Sequence, residues 1–237
     1  MNVSKRLNRL AMLVTEGSRL ADVGTDHGYV PISLMKQKRI PSAIAMDINQ
    51  GPLKRADNHI AEYGLEGYIE TRLSDGLDAL EAGEADTVLI AGMGGSLMVR
   101  ILTRGRRILH TVRELVLQPQ SEIGRVRKWL TEHGYRIICE DIILEEGKYY
   151  PMMKAIPGES EEYSEEEYRY GKPELQQSLD TLQEFLQKSL RMQEQIYRSL
   201  PDSGEERIVS RRQEVVQERQ YLERMLERCE GLGASSK

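Results

Sequence analysis

The sequence predicts a doubly wound α/β domain followed by a helical arm. Short apolar runs end at Val23, Met46 and Ala91, each followed at once by a glycine or an acid and then by a helical pattern. Two long strand-like segments, Tyr135 to Leu144 and Tyr149 to Ile156, are joined by Glu145-Glu146-Gly147-Lys148, a hairpin turn. Beyond Gly158 the apolar residues fall into heptad spacing. A chain of 237 residues suffices for one sizeable core plus an appendage.

The elements follow in order. Ser4 is suited to cap a helix through Val14, with Leu7, Leu10, Ala11 and Val14 on its apolar side. Strand one ends at Val23, and a helix starts near Tyr29, with Pro31 tolerated in its first turn. Strand two ends at Met46, with a helix from about Pro52 to Tyr63. Strand three ends at Leu73. Strand four, Thr87 to Ala91, is apolar throughout, as parallel strands buried on both faces are. A helix from about Ser96 to Leu102 follows. Strand five is Glu114 to Leu117, ended by Pro119, and a helix spans Ile123 to Glu132. A parallel sheet closed by an antiparallel hairpin resembles the class I methyltransferase fold, a Rossmann-like α/β sheet with a reversed last strand. Right-handed crossovers then give the order 3-2-1-4-5-7-6.

The domain is expected to span 1–158, and 159–237 to form an acidic linker and a helical coiled-coil arm. Leu175, Leu179, Leu182, Leu186, Ile196 and Leu200 form one seam, interrupted by Ser189 and Gln193. Pro201-Asp202-Ser203-Gly204 breaks it. Ile208, Val215, Leu222, Leu226 and Cys229 form a second, interrupted by Arg212 and Arg219. Two such helices on a short loop fold back as an antiparallel pair. The partly polar seams suit a packing or dimerisation arm at least as well as a substrate clamp.

Chemistry concentrates at the strand ends. Asp22-Val-Gly24-Thr-Asp26-His27-Gly28-Tyr29 is a strand, a tight glycine turn and a helix start. Gly24 and Gly28 are free to take positive φ and bare the backbone to a ligand. Asp22 stands where the dinucleotide fingerprint has its first glycine, which suits a ligand with a cation to hold. S-adenosylmethionine has a cationic α-amino group and no phosphate. Asp47 ends strand two, about where Rossmann-type domains place an acid on the ribose hydroxyls; the plain alternative is a helix N-cap. In the turn Ser74-Asp75-Gly76, Asp75 is placed to accept from the exocyclic amine of adenine. Gly92, Gly94 and Gly95 leave the backbone after strand four bare, where a flat ring can lie; the plain alternative is a tight turn, for which one glycine would do.

Composition fits an intracellular, cytoplasmic enzyme. Cys139 and Cys229 are the only cysteines and imply no disulfide framework. No apolar stretch is long enough to span a membrane, and the N-terminus lacks a signal peptide's apolar core. The net charge of −5 gives no global pull toward nucleic acid. The charge is uneven, however. Lys5, Arg6 and Arg9 precede strand one, Arg100, Arg104, Arg106 and Arg107 crowd the fourth helix and its loop, and glutamates crowd 159–167. On a helix whose apolar side faces inward, Lys5, Arg6 and Arg9 are placed to meet nucleic-acid phosphates at the pocket mouth; the plain alternative is solvated charges on an exposed face.

Asp-Val-Gly-Thr-Asp-His-Gly-Tyr-Val-Pro at 22–31, Ala-Gly-Met-Gly-Gly at 91–95 and Leu-Gln-Pro-Gln at 117–120 resemble the bacterial tRNA (adenine-22-N1)-methyltransferases, the TrmK family. The likeness covers the whole chain, helical hairpin included. It implies methyl transfer from S-adenosylmethionine to N1 of adenine 22 in the D arm of tRNA. By position it implies a cofactor site of Asp22, Gly24, Gly28, Asp47, Ile48, Asp75, Gly76 and Gly92. Gly92 to Gly95, Met93 and Gly94 among them, stand where amino-methyltransferases of DNA and RNA carry an Asn/Asp-Pro-Pro-aromatic motif, a difference that fits a target other than an exocyclic amine. With Asp26, His27 and Tyr29, Met93 and Gly94 make up the expected catalytic set: Asp26 to stabilise charge on the base, His27 and Tyr29 to stack on it or position it. No metal is expected.

Three rivals are weighed. A nicotinamide-dependent oxidoreductase is disfavoured by Asp22 and the missing third fingerprint glycine. A non-catalytic scaffold is disfavoured by the strand-end acids. A methyltransferase acting on a small molecule or protein is the serious alternative. The sequence leaves open monomer against weak dimer, and whether the arm meets tRNA or a second protomer.

Overall fold

The computed structural model describes residues 4–235; the outermost ends of the two expected domains, 1–3 and 236–237, lie outside these. The chain divides into two compact units, Met1–Glu161 and Glu162–Lys237.

The first unit is a seven-stranded sheet with helices. In chain order it runs α1 (Lys5–Leu13), β1 (Leu20–Val23), α2 (Tyr29–Lys36), β2 (Ala43–Asp47), α3 (Gln50–Glu62), β3 (Ile69–Leu73), β4 (Thr87–Gly94), α4 (Gly95–Arg104), α5 (Arg106–Leu109), β5 (Glu114–Ser121), α6 (Ile123–Glu132), β6 (Tyr135–Glu145) and β7 (Lys148–Pro157). The strand order is β3-β2-β1-β4-β5-β7-β6, as the sequence predicts. Strands β1 to β5 pair in parallel; β7 alone is reversed, antiparallel to β5 and to β6. Because β1 and β4 lie side by side in register, Val23 beside Ile90, the turns after them open at one point on the sheet's carboxyl edge.

Local chemistry sets these elements. Ser4 caps α1, its hydroxyl accepting from the Leu7 amide at 3.2 Å. Leu10, Ala11, Leu13 and Val14 join Leu20, Val30, Ile32 and Leu89 in the core. Gly28, at φ 68°, starts α2 in the left-handed region.

Two boundaries differ from expectation. Strand β5 passes through Pro119 to Ser121 instead of ending there, and β4 runs on to Gly94. Proline lacks an amide donor, and here the ladder slips: Met93 sits opposite Pro119, with register shifts on both sides of Met93. The bulge accommodates the proline and carries Gln118 to Ser121 alongside the glycine-rich end of β4.

Burial also departs from the usual pattern. Arg127 on α6 pairs with Glu140 on β6 at 2.7 Å, both almost fully enclosed. Buried Glu114 accepts from Thr15, Thr87 and Lys154. Burial alone would raise its carboxyl, but those hydrogen bonds hold it below the ordinary value.

The second unit contains α7 (Glu165–Tyr170), a short 3-10 turn at Pro173–Leu175, α8 (Leu179–Ser199) and α9 (Glu206–Ser235). Ser164 and Glu167 form a reciprocal capping box on α7. Part of the acidic stretch is consumed internally: Arg224 pairs with Glu166, and Arg228 with Glu167 and Glu174. Helices α8 and α9 fold back on each other, so that Arg219 meets Glu194 and Arg212 donates to the Leu200 and Pro201 carbonyls. The seams are narrower than expected. Leu175 sits in the 3-10 turn started by Pro173, outside α8. Leu182 and Leu186 are buried on α8, and Val215, Leu222, Met225 and Cys229 on α9. Met225, absent from the expected seam, is fully buried, and Leu226 is only partly so. Among the described residues no helix is long and apolar enough to cross a membrane.

Candidate active site

A cavity of about 370 Å³ opens at the carboxyl ends of β1 and β4. Asp22, Gly24, Asp26, His27, Tyr29 and Gly92, all singled out in the sequence, line it, and so does Arg6 from α1.

Gly24 is at φ 79°, and its amide and that of Thr25 both donate to the Met46 carbonyl, at 2.8 and 2.9 Å. A side chain at Gly24 would collide with the ε-methyl of Met93, which fills the space above the turn. The Thr25 hydroxyl accepts from the Gly28 amide at 3.2 Å and acts on the neighbouring Asp22 carboxyl. Asp22 is 6% exposed. Burial pushes its carboxyl up to about 6; Asp47 nearby adds to the shift and the Thr25 hydrogen bond opposes it. A buried carboxylate raised in this way is the chemistry that a bound ammonium group completes, so the site fits the ligand expected from the sequence.

Asp26 is exposed and ion-paired with Arg55 of α3, while His27 Nε2 lies 3.2 Å from its other oxygen. The His27, Tyr29 and His59 rings form a near-parallel cluster: His27 and Tyr29 centroids are 4.9 Å apart at 7°, and His59 lies 5.3 Å from His27. His59 Nδ1 is 3.0 Å from the His27 carbonyl. Arg55 and His59 escaped the sequence reading. They lie one turn apart on α3, and only the packing of α3 beside the β1 turn reveals them.

Gln118, quoted within the Leu-Gln-Pro-Gln motif, was given no role by the sequence reading. Fully buried on β5, it accepts from the Gly92 amide at 3.2 Å and from Arg6 at 2.8 Å, and donates to the Pro119 carbonyl at 3.1 Å. Gly92 is at φ 78°. Gly94 caps α4, and Gly95 abuts the Ser121 and Glu122 carbonyls so closely that no side chain fits.

Other predicted residues do not line the cavity. Asp47 ends β2, next to β1, and accepts from the Asn49 amide at 2.7 Å; the N-cap of α3 is Asn49, not Asp47. Ile48 is 59% exposed, a bare apolar face beside Asp47. Asp75 pairs with Arg104 at 2.6 Å, and Gly76, at φ 65°, packs on Ile101. The three cations of α1 separate. Arg9 is ion-paired with buried Asp141, Lys5 is exposed with its backbone amide on Glu145, and Arg6 turns toward the cavity over the Tyr150 ring.

Comparison with known proteins agrees with this geometry. Residues 3–153 match the Methyltransferase domain family. A Bacillus subtilis tRNA (adenine(22)-N(1))-methyltransferase is 37% identical over 159 residues, 67% of each chain. The crystal structure of the B. subtilis M1A22 tRNA methyltransferase TrmK superposes with a TM-score of 0.84 at 29% identity, covering 95% of this chain and 99% of that one. A Streptococcus pneumoniae structure in complex with S-adenosyl-L-methionine gives a TM-score of 0.83 at 34% identity, covering 95% and 100%. The glycine turn over a buried acid, the reversed β7 and these similarities converge: the chain belongs to the methyltransferase-domain proteins and, within them, to the TrmK family.

Proposed function

We propose that this chain methylates N1 of adenine 22 in tRNA, with S-adenosylmethionine as methyl donor. The observation that carries the reading is the cavity at the β1 and β4 ends, where the buried Asp22 carboxylate lies beside the Gly24 turn and Gly92. In this reading Asp22 holds the donor's ammonium, and Gly24, Gly28 and Gly92 give it room. Asp47 takes the ribose hydroxyls, with Ile48 against the adenine and Asp75 and Gly76 at its edge. When bound, the donor supplies an electrophilic methyl on sulfur, open to in-line displacement.

The chain's own residues have a limited task. N1 of adenine carries an in-plane lone pair and no proton at neutral pH, so no base is needed. Alignment and exclusion of water remain, with alignment alone worth up to ~7–11 kcal/mol. N1 is also the pairing edge, so the base must leave its stack. His27 and Tyr29, braced by His59, present ring faces to receive it, at ~1–3 kcal/mol per stacked base. Asp26 stands by the same opening to stabilise positive charge developing on the ring, its carboxylate held by Arg55. Met93, whose ε-methyl lies over Gly24, and Gly94 complete the catalytic set in this reading. Lys5, exposed on α1, serves as a phosphate contact in this reading. A tRNA substrate also argues for residence in the cytoplasm.

The test is transfer of labelled methyl from S-adenosylmethionine to unmodified bulk tRNA, followed by nucleoside analysis. Label in 1-methyladenosine, lost when adenine 22 is replaced, supports the reading. Label confined to another nucleoside, or to protein, overturns it.

A further inference from the structure

Gln120 differs from the other polar residues around the cavity. It lines the opening, on the stretch of β5 that the bulge at Pro119 carries alongside the glycine-rich end of β4. Two residues back, Gln118 is fully buried and engages Gly92, Arg6 and Pro119. Gln120 is exposed, and none of the described residues forms a hydrogen bond with its carboxamide. Both side chains reach Gly92: a methyl group there would stand 3.7 Å from Gln120 Nε2. The bare backbone of Gly92 thus leaves the Gln120 carboxamide clear to meet a ligand. Its charged neighbours in the opening are engaged. Asp26 is held by Arg55, Arg6 binds Gln118, and Asp22 is buried beside Thr25. Among the described lining residues Gln120 is the one carboxamide, a donor and an acceptor fixed in one plane.

Adenine offers the complementary pair. One of its edges sets the N6 amine, a donor, beside N7, an acceptor, and a glutamine carboxamide reads that pattern with two hydrogen bonds. Guanine sets two acceptors on the same edge, one of which would face the carboxamide oxygen. Contact on this edge also leaves N1 uncovered, as reaction at N1 requires. Stacking is blind to base identity, since every base has a π-face, so the His27 and Tyr29 rings do not select adenine by themselves. We propose that Gln120 is the residue that reads the target base: its carboxamide oxygen accepts from the N6 amine of adenine and its nitrogen donates to N7. This rests on the proposed methylation of adenine N1.

The test measures kcat/KM of the full chain on tRNA carrying either adenine 22 or 7-deazaadenine in its place, which lacks only the N7 acceptor. Any change in the intrinsic reactivity of N1 cancels when parent and variant are compared. Gln120→Ala should lower kcat/KM on adenine ~5–150-fold, the ~1–3 kcal/mol of a two-bond base contact at about 1.4 kcal/mol per tenfold. The parent should favour adenine over 7-deazaadenine more strongly than Gln120→Ala does, by ~2–12-fold, the worth of one hydrogen bond. Gln120→Glu keeps the size and the acceptor but sets an oxygen against N7, so its deficit should shrink on 7-deazaadenine. In titration calorimetry both variants should bind S-adenosylhomocysteine within about threefold of the parent. Unchanged kcat/KM on adenine overturns the proposal, as does a base preference identical in parent and Gln120→Ala, which a purely structural role would give. A fall in S-adenosylhomocysteine affinity as large as the fall in kcat/KM also overturns it, by setting Gln120 against the donor. A parent that leaves adenine 22 unmethylated overturns the function proposed above and this assignment with it, a result distinct from parent methylation that Gln120→Ala leaves intact.

Discussion

Asp22→Asn should stabilise the ligand-free protein while weakening its hold on the donor. The folded Asp22 carboxyl is raised from 3.8 to about 6, chiefly by burial. At 1.36 kcal/mol per pKa unit the ionised side chain costs the fold about 3 kcal/mol at neutral pH. The sign follows from proton binding. A raised acid binds its proton more tightly when folded, so stability falls as pH climbs from 3.8 toward 6 and is level above. Asparagine is neutral throughout and keeps an oxygen for the Thr25 hydroxyl. In a chain of this size 1 kcal/mol moves Tm by roughly 2–4 °C. The asparagine variant should therefore melt up to ~6–12 °C above the parent at pH 7.5, and the gap should close toward pH 4. Calorimetric melts of both proteins across that range give the answer, and S-adenosylhomocysteine titration should show the loss of affinity. A gap independent of pH, or an asparagine variant that melts lower at pH 7.5, would refute the reasoning.

Gly24→Ala should lose donor affinity and about 1–2 kcal/mol of stability through the left-handed backbone. Adding Met93→Ala should restore part of the stability lost to the collision; no recovery in urea melts would assign the whole cost to φ. Asp47→Ala should weaken S-adenosylhomocysteine by ~1–3 kcal/mol, and unchanged affinity would remove it from the ribose role. His59→Ala should lower turnover on tRNA with donor affinity intact, and a fall in donor affinity instead would tie the ring cluster to the cofactor. Arg127→Ala strands the Glu140 charge indoors and should cost ~3–5 kcal/mol in chemical denaturation; a loss under about 1 kcal/mol would mean water reaches Glu140.

The sheet order was legible because short apolar strands, right-handed crossovers and one hairpin leave few topologies. The glycine turn was legible because Asp22, Gly24 and Gly28 are contiguous in the chain as in space. Residues brought in by packing were not. Arg55 and His59 look like the polar side of an ordinary surface helix until α3 is set beside the β1 turn. Pro119 reads as a strand end, since sequence alone cannot show that a bulge excuses its missing amide, and Gln118, though part of the quoted motif, was left without a role. Arg127 and Glu140 carry the residue types of a solvated face, yet they meet in the interior. Met225 escaped because heptad spacing admits either Met225 or Leu226 between Leu222 and Cys229, and only packing shows that Met225 is the buried one.

The tethers of α1 have a consequence for synthesis. The Thr15 amide reaches Glu114, Arg6 reaches Gln118 and the Lys5 amide reaches Glu145, across sequence separations of 99, 112 and 140. The ribosome thus delivers one wall of the cavity first and the groups that fasten it last. A nascent chain stalled after β4 already has Asp22, Asp47 and Asp75, but Gln118 and Tyr150, which brace Arg6, do not yet exist. The bracing of Arg6 is therefore complete only when the final hairpin emerges, so translation finishes that wall of the pocket and the domain together.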